Sequence, residues 1–405
     1  MTTAVIHGEG PALNLSGRIP ELDGLRGIAI GMVLIWHFVV VPSDITHLPR
    51  ALVPGLLTWT GVDLFFVLSG FLIGGILLDA RTSTNYFQVF YTRRFFRIVP
   101  VYALVLLSFP VLAYARHWAH PIQPAGLALG SPPWYSYWTF TQNFWMAWTS
   151  NLGFNSLAMT WSLAVEEQFY LTLPLLVRLF SGRRLLTLVG VGIVLAPLLR
   201  TVSRFFSPHN WGLPYVLMPC RADALLLGVL AAILLRDPVW QRRVQGAHRV
   251  LASVLLALFL GIVYLTLRAP DLADRFMSTA GYSWIALFYV SLLLYALTRP
   301  DSLVSRALRV KWLGWLGTIA YGTYLFHQGI QRTLFRIIAG SDPVLPGRFS
   351  LLITLAALLL TLVVARLSWR FFEVPLMRIG HRSRYKLAKS ETNKIPNTAQ
   401  EPVRS

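Results

Sequence analysis

Residues 57–78 read LTWTGVDLFFVLSGFLIGGILL, a run in which Asp63 is the one ionisable side chain. The run is continuous and Leu/Phe-rich rather than alternating, which is the pattern of a spanning helix and not of a barrel strand. A helix needs roughly 20 mostly apolar residues to cross the hydrocarbon layer. Nine further stretches meet that description: Gly24–Val41, Phe95–Tyr114, Trp161–Phe180, Leu185–Val202, Leu217–Leu235, Val250–Leu267, Thr279–Leu297, Trp312–Ile330 and Leu351–Phe371. The expected fold class is all-α: a polytopic integral membrane protein of about ten transmembrane helices.

Composition agrees with this reading. Of 405 residues, 55% are hydrophobic and 13% charged, and the mean hydropathy is +0.57. A water-soluble globule cannot hide that much apolar surface, and a disordered chain would not carry it. One cysteine, Cys220, excludes a disulfide framework and any Cys-based metal site, and no metal is expected. The net charge of +19 would ordinarily point to nucleic acid. In a membrane protein, loop charge is first a signal of orientation. With the N-terminus inside, the cytoplasmic segments hold 24 of the 36 Lys+Arg and the outer segments 10. Both termini are therefore expected in the cytoplasm, and the basicity is accounted for without a nucleic-acid partner.

The chain divides into a cytoplasmic N-terminal segment (1–20), a transmembrane domain (21–376) and a basic cytoplasmic tail (377–405) expected to be disordered and to rest on anionic lipid. The first 20 residues lack the charged start and small-residue cleavage site of a secretory signal, so the first span is expected to remain. The longest loop, about 116–160, is aromatic (SPPWYSYWTFTQNFWMAW) and suits an interfacial or re-entrant cap on the outer side.

Ionisable groups inside spans are expensive and mark function by default. Counted from the outer ends of their spans, His37, Asp63, Glu166, Arg221, Asp223 and His327 fall in one layer of the outer half, with Tyr324 a turn deeper than His327. Each could also be structural glue between helices. Span 1 reads LDGLRGIAIGMVLIWHF (22–38), which puts Arg26 and His37 on one face about 16 Å apart. That stripe suits a long anionic substrate whose charged part stays at Arg26 and whose reactive end reaches His37. A neutral imidazole near acids is a natural general base. In FYTRRFFRIVP (90–100), Arg93, Arg94 and Arg97 make a second cluster, in which Arg94 and Arg97 share a helical face and can grip a phosphate. In WSLAVEEQFY (161–170), Ser162, Glu166 and Tyr170 form one stripe while Glu167 points about 100° away. Glu166 is the favoured acid and Glu167 the reserve. Gly61, Gly70, Gly74 and Gly75 suit close helix approach or room for a thin substrate arm.

Taken together, these segments resemble the membrane-bound acyltransferase family 3, which includes bacterial O-acetyltransferases of surface polysaccharide and peptidoglycan. The marks are Arg26 and His37 at their spacing, GVDLFFVLSGFLI (61–73), RRFFRIVP (93–100), WSLAVEEQFY (161–170), RADALLLG (221–228), YGTYLFH (321–327) and FFEVP (371–375), in order across residues 20–376. The resemblance implies acyl-CoA, most simply acetyl-CoA, as donor substrate with no permanently bound cofactor. It also implies transfer of the acyl group across the membrane to a hydroxyl of an extracytoplasmic glycan or glycoside, with the protein in a bacterial cytoplasmic (inner) membrane. Arg26 and His37 match the essential pair of the first helix, and Arg94 and Arg97, with Arg93 beside them, a motif for the acyl-CoA nucleotide. The chain is expected to lack the extracytoplasmic SGNH-type esterase domain of some members, so the acceptor would meet the membrane unit directly or a separate periplasmic transferase would finish the reaction. On this reading His37, oriented by Glu166 or Asp63, removes the acceptor proton, and Tyr324, His327 or Arg221 steadies the oxyanion. Glu167 and Asp223 stand in reserve, and a covalent acyl-enzyme stays open beside direct transfer. The rivals are a proton-coupled transporter, whose buried His and acids relay protons, and an acyltransferase acting on a small glycoside or macrolide.

Loop charge and motif depth make a joint claim about sidedness. Inside-out vesicles are expected to use added acyl-CoA and to place product in the lumen, whereas right-side-out vesicles stay silent until permeabilised. Equal consumption by intact right-side-out vesicles would overturn the orientation or the path through the membrane.

Overall fold

The computed structural model describes residues 17–43, 50–119, 131–268, 274–345 and 347–386. They form helices joined by short turns, with no strand among the described residues. Eight helical stretches are long and apolar enough to cross a membrane by length and composition. Two of the ten expected spans fall outside that group: α6 (Thr160–Leu179) and α15 (Ala320–Ala339). Each has 20 residues, so length is not the reason. Both carry the polar and charged residues of the motifs above, and that polarity faces the interior, where it costs least.

The core is a tight group of helices around α2 (Gly61–Asp79), which is buried along most of its length. Its main neighbour is α9 (Met218–Arg236), and the two backbones meet at reciprocal glycines. A Cβ on Gly70 would overlap the Leu225 carbonyl, and one on Gly228 the Val67 carbonyl. The helices cross where neither has a side chain, as small residues allow in a membrane. Helix α1 (Pro20–Ile35) lies against α14 (Lys311–Thr318) in the same way, with Gly27 on Leu313 and Gly317 on Asp23. The expected glycines of α2 thus serve helix contact; none of Gly61, Gly70, Gly74 and Gly75 lines the large cavity described below.

Two expectations are corrected and a third gains detail. The ninth span, read as Trp312–Ile330, is two helices broken at Ile319, because α14 is held flat on α1 at Gly317 before α15 begins. This places His327 eight residues into α15 rather than near its outer end. The long loop does contain helices: α4 (Trp134–Trp138) and α5 (Gln142–Thr149) bury Tyr137, Gln142 and Asn143 and expose Tyr135, Phe144 and Trp148. The exposed rings fit an interfacial cap. The tail boundary at 377 falls inside α17 (Val374–Arg382), which packs on α3 (Tyr86–Ala119) through Gly380. Beyond it, Ser383–Lys386 lie along the turn at 84–85, so this part of the tail is folded. Residues 1–16 and 387–405 lie outside the described residues.

Candidate active site

Helices α1, α2, α3, α6, α15 and the end of α16 (Arg348–Ser368) surround a cavity of about 620 Å³. Arg26, Arg94 and Arg97 line it, with Arg18 and Arg366. Asp23 accepts from Arg18 (2.7 Å) and Arg26 (3.1 Å) and so fixes the Arg26 guanidinium at the start of α1. Arg94 stands 6.0 Å from the Tyr170 ring and 5.9 Å from that of Phe90. Up the same face of α6, Tyr170 donates to Glu166 (2.9 Å), and Ser69 contacts the Tyr170 oxygen at 2.5 Å. The Tyr170 proton is already committed to the carboxylate, so Ser69 is the donor. One turn further, Ser162 meets the Tyr324 hydroxyl at 2.5 Å, and both can donate to the Met159 carbonyl. The cavity thus runs from an arginine-rich end at Arg94 to a hydroxyl pair at Ser162 and Tyr324, about 12 Å along α6.

A second cavity of about 170 Å³ begins behind Val62 and Tyr324, which line both. It holds His37, and its walls include Trp36, Trp59, Trp161, Trp211, Tyr215 and Gln328, with Leu152, Ala158 and Met159 from the loop before α6. His37 sits in a π-helical turn, Trp36–Val40, that follows α1. Such turns recur at functional sites because they displace one side chain from the regular ladder. Its Nδ1 lies 2.9 Å from the Val33 carbonyl. A carbonyl can only accept, so Nδ1 carries the proton, and in the neutral ring Nε2 keeps its lone pair. His327, fully buried, is fixed in the same tautomer by the Tyr324 carbonyl at 2.6 Å. The two rings meet edge-on with centroids 4.8 Å apart.

The family profile described as an acyltransferase domain, acyltransferase family 3, matches residues 19–370, which takes in every residue of the two cavities except Arg18, Glu373 and Met377. The chain belongs to the acyltransferase-3 family. Among its relatives are the peptidoglycan O-acetyltransferase OatA of Listeria monocytogenes (27% identical over 389 residues, 91% of this chain) and the putative peptidoglycan O-acetyltransferase YrhL of Bacillus subtilis (29% over 384 residues, 90%). The O-acetyltransferase OatA of Staphylococcus aureus is 26% identical over 387 residues, 92% of this chain. The chain spans 56–60% of the length of these relatives. No solved structure matches.

In this member of the family the expected polar layer resolves into two groups. His37, His327 and Tyr324 come together, and Glu166 lies on the large cavity with Arg26, Arg94 and Arg97. Asp63, Arg221 and Asp223 lie apart, among α2, α7 (Gly182–Phe206), α9 and α12 (Tyr282–Thr298). Asp63 is ion-paired with Arg221, both 1% exposed, and the Arg221 guanidinium lies 4.2 Å from the Tyr282 ring centre. Asp223 binds Arg200 (2.9 Å) and Ser283 (2.6 Å). Arg200, near the end of the expected span Leu185–Val202, is fully buried and also donates to the carbonyls of Cys220 (2.5 Å) and Thr279 (3.1 Å). Neither Asp63 nor Arg221 lines either cavity, which corrects their expected parts as His37 orienter and oxyanion donor. Nor is Glu166 the orienter: its partner is Tyr170, and the Val33 carbonyl holds the imidazole. Glu167 lies off the cavity, with Oε1 buried and unbonded among the described residues. Arg93 points to the C-terminal segment and donates to the Ser383 carbonyl (2.8 and 3.1 Å). Missed in the sequence were Ser69, Arg18 and Trp369, which give no local signal and reach the cavity through packing alone.

The buried pair gives a separable test of Asp63. Asp63→Asn leaves Arg221 as an uncompensated buried charge and should cost about 3–5 kcal/mol, read as a fall in the unfolding temperature in detergent. The double variant Asp63→Leu/Arg221→Met should recover most of that loss and keep transferase activity. A folded, stable double variant without activity would return Asp63 to the chemistry.

Proposed function

We propose that this acyltransferase moves an acyl group, most simply acetyl, from cytosolic acyl-CoA to a hydroxyl of an extracytoplasmic glycan. The observation that carries this reading is the pair of cavities meeting at Val62 and Tyr324, arginine-lined at the far end of one and holding His37 in the other. Arg26, Arg94 and Arg97 supply charge for the donor's phosphates, and the length of the large cavity suits a thin pantetheine arm. The thioester then lies at Ser162 and Tyr324. On the other side, an acceptor hydroxyl enters the aromatic chamber. The ring faces of Trp59, Trp161 and Trp211 suit the apolar faces of a sugar, and Gln328 and His37 its hydroxyls. The peptidoglycan named for two of the relatives is a glycan of this kind.

The chemistry follows from the tautomer. The acceptor oxygen attacks the thioester carbonyl carbon while His37 Nε2 takes its proton. The Tyr324 hydroxyl is the nearest donor for the oxyanion. On collapse the C–S bond breaks, and the imidazolium returns its proton to the CoA sulfur. Charges balance, and neither His37 nor the enzyme need hold the acyl group. Direct transfer of this kind releases CoA only with acceptor present, whereas a covalent route gives a burst without it. A proton relay is less well served: Asp63 and Asp223 are each held by an arginine. The placement of the protein in a bacterial cytoplasmic membrane with both termini inside belongs to the same proposal.

Two substitutions should separate chemistry from donor binding. His37→Ala should lower kcat by about 10²–10⁴-fold while leaving the donor KM within a few-fold. Arg97→Ala should raise the donor KM and leave kcat nearly unchanged, because a phosphate contact far from the carbonyl contributes equally to ground and transition states. Near-wild-type turnover by folded His37→Ala would remove it as the base.

A further inference from the structure

A third, smaller cavity of about 60 Å³ adjoins the arginine end of the large one, sharing Arg94 and Arg97 with it. Its ionisable side chains among the described residues are Arg93, Arg94, Arg97, His381 and Tyr385, with no carboxylate among them. By contrast, the fully buried Arg221 and Arg200 each meet a carboxylate, Asp63 and Asp223. Crowded guanidinium groups without a counter-charge are costly, and the cost is recovered when an anion enters.

The C-terminal segment builds one wall. The Thr84 N–H donates to the Lys386 carbonyl, and the Asn85 amide both donates to the Arg384 carbonyl and accepts from the Lys386 N–H, each at 2.9 Å. These bonds strap Ser383–Lys386 across the mouth. Arg93 grips the strap at Ser383, and its guanidinium lies 5.1 Å from the Tyr385 ring centre. The Tyr385 hydroxyl is buried and has no hydrogen-bond partner among the described residues. Burial also pushes this phenol above its ordinary pKa, so it stays a donor. Gly380 lets α17 approach α3 closely, which brings His381 to the same cavity.

We propose that this pocket, closed by the C-terminal strap, binds a phosphomonoester at the nucleotide end of the donor, with Tyr385, His381 and Arg93 completing what Arg94 and Arg97 begin. The inference rests on the acyl-CoA reading above and adds to it a specificity for the terminal 3′-phosphate. A phosphomonoester carries nearly two charges and three acceptor oxygens, which suits several guanidinium groups and a phenol better than a single carboxylate does.

The test compares acetyl-CoA with acetyl-dephospho-CoA, which lacks that phosphate, using the full chain in phosphatidylcholine nanodiscs. The wild type should show a donor KM at least tenfold lower for acetyl-CoA. Tyr385→Phe, which keeps the ring and the packing, should raise the acetyl-CoA KM several-fold, leave kcat alone and leave the dephospho donor's KM unchanged. His381→Asn should move the same ratio in the same direction. Equal use of both donors by the wild type, or an undiminished ratio in both variants, overturns the pocket while leaving the acyl-CoA reading intact. Failure to use either donor overturns both. If phosphatidic acid competes with acetyl-dephospho-CoA as well as with acetyl-CoA, the anion is a lipid headgroup and the nucleotide assignment falls.

Discussion

A charge placed in hydrocarbon must be met by an opposite charge or by a ligand, and the two fates of arginine in this fold follow from that rule. Arg221 and Arg200 are met within the protein, by Asp63 and Asp223. Those two pairs tie α2, α7 and α9 together, and Ser283 adds α12 through its bond to Asp223. Because both acids are spoken for, this side of the bundle is closed and rigid, and the glycine crossing of α2 on α9 runs beside it. The opposite face of α2 looks onto the large cavity, where Arg94 and Arg97 face open volume. The same helix therefore separates a scaffold of buried ion pairs from a cavity where Arg94 and Arg97 have no ion-pair partner among the described residues.

The helices were legible in the sequence because hydrocarbon thickness demands long apolar runs, and few other constraints leave so plain a trace. The spacing of eleven between Arg26 and His37 reads as one face on regular pitch, but the π turn at Trp36–Val40 intervenes, and Arg26 lines the large cavity while His37 lines the second. The partners of the buried acids were not legible. Asp63 and Glu166 have similar depth in their spans, yet one meets Arg221 and the other Tyr170, and only the rotation of each helix against its neighbours decides which. Arg200 stands near the edge of its expected span, where the sequence names no partner for it, yet it is fully buried and paired with Asp223. The break at Ile319 escaped for another reason: the run of 312–330 is apolar throughout its first half, and what interrupts it is contact with α1.

Irregular pitch does part of the positioning. The π turn at Trp36–Val40 holds His37, and a second, Trp369–Glu373, brings Trp369 and Glu373 to the large cavity. In both, the departure from regular pitch comes where an apolar helix reaches the cavity wall. The Val33 carbonyl, rather than an acid, orients His37, which puts the proton on Nδ1 and leaves Nε2 with its lone pair in the neutral ring.

The wall between the chambers carries the final consequence. On the acyl-transfer reading, the donor is large and highly charged while the group it gives up is small and neutral. Val62, Tyr324 and Ser162 form a partition one or two side chains thick, apolar on one flank and hydroxyl-bearing on the other. Phosphates held at Arg94 and Arg97, about two helical turns away along α6, anchor the donor from behind. Only the acyl end then reaches the partition, and His37 meets it from the far chamber. Two reactants confined to opposite sides of a membrane can exchange a group at such a partition without either one crossing, and the membrane need never open a continuous aqueous path.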